Sequence, residues 1–134
     1  MKKLTDVLYW IVMAIMVAYF AYSKGWILTN FESITAERAS QMIESDDNIT
    51  ILDVRTIEEY QKGHLRDAKL IPVSLLKENL DKLNSSKMRQ IIVYCQSGNR
   101  SISASRILES NGFTPFNVKG GIVALGKAGS AIVK

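Results

Sequence analysis

Apolar positions divide the chain into a uniformly apolar head and a region of short alternating periods. Residues 7–22 carry no charge and are apolar on every face, unlike the one-sided stripe of a soluble surface helix. Lys24 follows. If its ammonium reaches headgroup level, the apolar stretch continues to Leu28 and is long enough to cross a bilayer. Tyr9, Trp10, Tyr19, Tyr22 and Trp26 gather toward the two ends, where aromatic rings favour the interface. We read residues 1–28 as a single transmembrane anchor in the lipid bilayer. The alternative is a cleaved secretory signal with Lys2-Lys3 as its basic head and Ala21-Tyr22-Ser23 as its cleavage site. A basic head before a first apolar segment places the following domain on the non-cytoplasmic (periplasmic or extracellular) side. Lys24 and Arg38 on the other flank nearly balance it and leave the cytoplasmic side open.

Thr29-Asn30 is a short polar connection, and residues 29–134 read as one domain. A strand ends near Ile34, and Thr35 caps a helix over 38–45 that turns Ala39, Met42 and Ile43 inward. Residues 49–54 form a buried-type strand after the turn Asp46-Asp47-Asn48. Thr56 caps a short helix through Lys62, stopped by Gly63. A strand over 70–73 ends at proline, and Ser74 opens a helix with Leu75, Leu76, Leu80 and Leu83 apolar. Residues 91–94 are the most continuous apolar strand and the most central. A helix over 100–110, a strand over 113–118 and a helix over 122–127 behind Gly120-Gly121 complete the series. Strands alternating with helices predict an α/β fold: a central, mainly parallel five-stranded sheet with helices on both faces, preceded by one transmembrane helix.

Composition narrows the chemistry. Net charge is +4, but from Phe31 onward the chain carries 14 basic and 12 acidic residues. With no basic stripe, it lacks a nucleic-acid footprint. One cysteine and one histidine leave no disulfide within the chain and no zinc spacing, so no metal is expected. Any thiol chemistry falls on Cys95.

Cys95 stands where that chemistry is favoured. It ends the central strand, and Gln96-Ser97-Gly98-Asn99 lead into a helix starting at Arg100-Ser101. Amides of a strand-to-helix loop converge on one point, and the helix N-terminus adds positive potential there. Such a setting lowers a thiol's pKa. Gly98 lets the loop curl, the hydroxyls of Ser97 and Ser101 donate to an anion, and Arg100 brings a fixed positive charge. Asp53 orders nearby loops, and Arg55 is expected to pair with Glu59 one helical turn on. Gly120-Gly121 points to close backbone packing near the active loop.

Four groups of residues resemble the single-domain rhodanese family over residues 31–133. They are Ile34-Thr35-Ala36-Glu37-Arg38-Ala39; Leu52-Asp53-Val54-Arg55 with Glu59-Tyr60, Gly63-His64-Leu65, Ala68 and Ile71-Pro72; Val93 to Ser101; and Leu108, Gly112-Phe113, Val118 and Gly120-Gly121-Ile122. The resemblance implies thiosulfate sulfurtransfer. Cys95 takes the outer sulfur of thiosulfate or another sulfane-sulfur donor as a persulfide, held by Gln96, Ser97, Gly98, Asn99, Arg100 and Ser101. It then passes the sulfur to cyanide or a thiol. No cofactor is implied, and His64 falls in a structural Gly-His motif. Two positions depart from the family: Arg66-Asp67 replaces a small residue, often glycine, and Leu125 replaces a tryptophan. The competing readings are a membrane-tethered persulfide carrier or docking module, a cysteine phosphatase and an arsenate reductase. Related phosphatase loops hold five residues between cysteine and arginine. Here there are four, Gln96 to Asn99, a tighter cradle suited to sulfur.

Overall fold

The computed structural model describes residues 2–24, 26–27 and 30–134, so Leu28 and Thr29, which close the expected anchor and open the connection, lie outside the described residues. Helix α1, Lys2–Ser23, has 22 residues, none buried. At a rise of about 1.5 Å per residue it extends about 33 Å, enough to match a hydrocarbon core. Its length and composition suit a membrane span, and a signal sequence meets the same criteria.

The domain follows in order as β1 (Glu32–Ile34), α2 (Ala36–Ser45), β2 (Ile49–Asp53), α3 (Ile57–Lys62), β3 (His64–Leu65), β4 (Lys69–Leu70), α4 (Val73–Leu76), a 3-10 segment (Leu80–Ser86), β5 (Gln90–Tyr94), α5 (Arg100–Ser110), β6 (Thr114–Val118), α6 (Gly121–Lys127) and β7 (Ile132–Val133). Five strands form one parallel sheet in the order β1-β6-β5-β2-β4, with β5 at its centre. This is the expected α/β fold.

The caps are local and legible. The Thr35 hydroxyl accepts from the Arg38 N–H at 3.2 Å. Thr56 and Glu59 form a reciprocal capping box at the start of α3. In β5 the side-chain period of two sorts the core. Ile91, Val93 and Cys95 join Leu76, Leu83, Ala104 and Leu108 on one face. Ile92 and Tyr94 join Ala39, Leu65 and Leu125 on the other. Ile91, Ile92 and Val93 are all 0% exposed, and each such side chain contributes about 1.5–3 kcal/mol of burial.

Two local expectations are corrected, and one element is new. The strand over 70–73 shortens to Lys69–Leu70, because Pro72 starts α4. The helix expected from Ser74 through Leu83 is instead a short α4 and a 3-10 segment. Asn79 leaves helical geometry (φ −122°, ψ 21°) and bonds the Leu75 carbonyl through its side chain at 2.7 Å. Leu76 and Leu83 still reach the core. An antiparallel pair, β3 with β7, escapes notice because two-residue strands carry no readable period. The two departures from the family are accommodated. Asp67 adopts a left-handed backbone (φ 65°), where glycine is at ease and aspartate is tolerated, and Leu125 is fully buried.

Candidate active site

Cys95 lies at the C-terminal edge of the central strand, where loops of a parallel sheet converge. It is 1% exposed, and its Sγ accepts the Gly98 N–H at 3.0 Å. The Ser101 hydroxyl lies 3.6 Å from Sγ and is anchored on the Gly98 carbonyl at 3.2 Å. Burial alone pushes the Cys95 thiol up. The Ser101 hydroxyl and the amides of Ser101, Gly98 and Ser97 outweigh it and hold the thiol below its ordinary value. The loop turns its amides inward and leaves a carbonyl outward, where the Ile122 N–H donates to the Cys95 carbonyl at 2.8 Å. Gly121 (φ +58°) permits that approach: a Cβ there would stand 2.5 Å from the Gln96 carbonyl oxygen. The glycine pair is thus a close-packing device behind the loop, as expected.

The loop is clamped from one side by the segment after β2. Asp53 and Arg55 are 0% and 3% exposed. Arg55 Nη2 donates to Asp53 Oδ2 at 2.7 Å and to the Gly63 carbonyl at 2.7 Å, while Nη1 reaches Gln96 Oε1 at 3.2 Å. One guanidinium therefore joins the end of β2, the end of α3 and the Cys95 loop. The expected Arg55–Glu59 pair does not form. A guanidinium this buried needs an equally buried carboxylate, and Asp53 supplies it. Glu59 instead takes both terminal nitrogens of Arg100, at 2.7 and 2.8 Å. That pairing holds the Glu59 carboxyl down to about 2, with Thr56 adding smaller contributions and burial opposing.

His64 stacks on Tyr60 with centroids 3.7 Å apart, and its Nδ1–H donates to the Tyr60 carbonyl, 2.9 Å away. These contacts brace the corner between α3 and β3. The Tyr94 hydroxyl accepts the Leu65 N–H at 3.0 Å beneath the site, a role that no local sequence signal marks. Burial, then the neighbouring Asp53, push its phenol up. Ser97 and Asn99 stand exposed on the loop. Among the described residues no group of His, Cys, Asp and Glu is arranged to hold a metal ion.

The parallel sheet and the amide-lined thiol at its central strand define an α/β domain built around a single cysteine. A model of the rhodanese-like domain matches residues 35–128, and the chain belongs to that family. It is 32% identical over 101 residues to a sulfurtransferase of Allochromatium vinosum, covering 75% of this chain and 92% of that protein. It is 35% identical over 85 residues to YrkF, a sulfur-carrier candidate of Bacillus subtilis, of whose length the match spans 45% and of this chain 63%. The fold superposes on a rhodanese-like domain protein of Staphylococcus aureus with a TM-score of 0.68 at 35% identity, covering 78% of this chain and 100% of that one.

Proposed function

We propose that this chain is a sulfurtransferase that moves a sulfane sulfur through a persulfide on Cys95. The observation that carries the reading is the Cys95 Sγ itself: buried, held at 3.0 Å by the Gly98 N–H and surrounded by donors that favour its anion. The thiolate attacks the outer sulfur of thiosulfate or a similar donor, a new S–S bond forms, and sulfite leaves with the electron pair of the old one. A thiol or cyanide then takes the outer sulfur and restores the thiolate. The loop amides hold the persulfide anion as they hold the thiolate. Ser101 and Arg100 complete the cradle, with Gln96 locked by Arg55. Residues 1–28 serve as a retained anchor, and residues 29–134 as the working domain on the non-cytoplasmic side.

The test is intact-mass measurement of the full-length protein after exposure to thiosulfate. A gain of one sulfur atom, removed by cyanide or reductant and absent in Cys95→Ser, is expected. An unaltered mass with a free thiol refutes the mechanism. Turnover of p-nitrophenyl phosphate that disappears in Cys95→Ser would reassign the site to phosphate chemistry.

A second reading, a tethered persulfide carrier, is favoured by one observation. Arg100 is neutralised by Glu59 and so offers an anionic donor little net charge. A carrier loads once and discharges to one dedicated thiol, whereas an enzyme turns over several acceptors. Multiple-turnover assays with cyanide and with small thiols separate the two.

A further inference from the structure

Arg100 is the loop's only cation, and both its terminal nitrogens are committed to Glu59. A groove of about 430 Å³ opens on the loop. It is lined by Gly98 and Asn99, by Lys24 and Trp26 from beyond α1, and by Asn117 and Lys119 at the end of β6. Among the described residues no acidic side chain lines it. Lys24 Nζ donates to Asn99 Oδ1 at 3.3 Å. The end of α1 is held there by Arg106, which bonds the Tyr22 carbonyl and lies 3.8 Å over the Tyr22 ring. Lys119 is exposed and forms no ion pair among the described residues. Gly98 lines this groove, and its N–H is the one 3.0 Å from Sγ.

Asn117 adds an independent observation. It is 2% exposed, its Nδ2 donates to the Ser33 hydroxyl at 3.1 Å, and its carboxamide oxygen has no partner. Buried unpaired acceptors are uncommon and call for an explanation. Turned over, the amide would accept from Ser33 and free its N–H groups for an anion.

We propose that this groove is the anion subsite of the sulfur donor, with Lys24 and Lys119 supplying the positive charge that Arg100 spends on Glu59. The proposal rests on the sulfur-transfer reading and names its donor class: a small oxyanion carrying a sulfane sulfur, as thiosulfate does. The Cys95 thiolate forms a bond to the outer sulfur, the S–S bond of thiosulfate breaks, and sulfite departs as a dianion with that electron pair. Total charge is unchanged, and no further oxidant or reductant enters. The segment after the apolar helix thereby contributes directly to donor binding.

The experiment uses full-length protein in uncharged detergent micelles. Thiosulfate binding to Cys95→Ser, which cannot form the persulfide, is measured by calorimetry with and without Lys24→Gln and Lys119→Gln. Each lysine change is expected to weaken binding about fivefold, and added salt to shrink the difference. Affinity unchanged within about twofold in the double-lysine variant overturns the proposal. Phosphatidylglycerol doped into the micelles distinguishes a lipid phosphate from the donor. Lysine-dependent binding of phosphatidylglycerol that leaves thiosulfate affinity untouched assigns the lysines to headgroups and also overturns it. Wild-type protein that gains no sulfur, while its Cys95→Ser form binds thiosulfate through both lysines, would sink the transfer reading and leave the subsite standing.

Discussion

Gly121→Ala tests whether the active loop is shaped from behind. Two costs add at this position. The backbone is left-handed (φ +58°), which costs an L-residue about 1–2 kcal/mol. The new Cβ would meet the Gln96 carbonyl oxygen at 2.5 Å and press on that of Cys95, both backbone atoms that move only with the loop. Overpacking of this kind costs about 1–3 kcal/mol, so the expected total is about 3 kcal/mol. Two other glycines separate the contributions. Gly112 (φ +85°) has open space around a Cβ, so Gly112→Ala bears only the conformational cost of about 1–2 kcal/mol. Gly126 lies within α6 and also faces open space, so Gly126→Ala is neutral or stabilising by up to about 1 kcal/mol. Urea titration followed by circular dichroism ranks the three, and sulfur loading of Cys95, read by mass, should slow about tenfold or more in Gly121→Ala alone. Gly121→Ala matching Gly112→Ala in stability, with undiminished loading, would refute the close-packing argument.

Three further outcomes follow from the electrostatics. Because the Cys95 thiol is held below its ordinary 9.0, loading should rise with pH and level off below that value; Ser101→Ala should move the inflection upward in stopped-flow pH profiles. Glu59, at about 2 when folded against 4.5 ordinarily, contributes stability that is fully present above 4.5 and fades as pH falls toward 2. The pair is partly open to solvent, so acid titration of Glu59→Gln should lack a slope worth only about 1 kcal/mol. Asp53→Asn leaves the Arg55 guanidinium buried without its carboxylate; a loss of about 3–5 kcal/mol is expected in urea unfolding, and a loss under 1 kcal/mol would mean that Arg55 finds water.

The strand-to-helix loop after Cys95 was legible because its information is local. Cys95, Gly98, Arg100 and Ser101 lie within one strand-to-helix turn, and Thr35 and Thr56 announce their helices within three residues. Glu59 was legible as a charged position near the site, but not in its larger role. Its partner Arg100 lies 41 residues away, and no periodicity links them. Helix spacing suggested Arg55 as the partner instead. That suggestion failed because burial, invisible in a linear pattern, turned Arg55 inward to Asp53 and Gln96.

Sequence alone therefore determined the α/β class, the apolar head and the one residue able to carry thiol chemistry, since composition and short-range periodicity express them directly. Tertiary structure decided which charges remain available around that thiol. Packing α3 beside the loop consumes Arg100 in an ion pair, while packing the end of α1 against Asn99 brings Lys24 to the site across 75 positions of chain. Charge availability is a property of distance and burial, and neither is written in the order of residues.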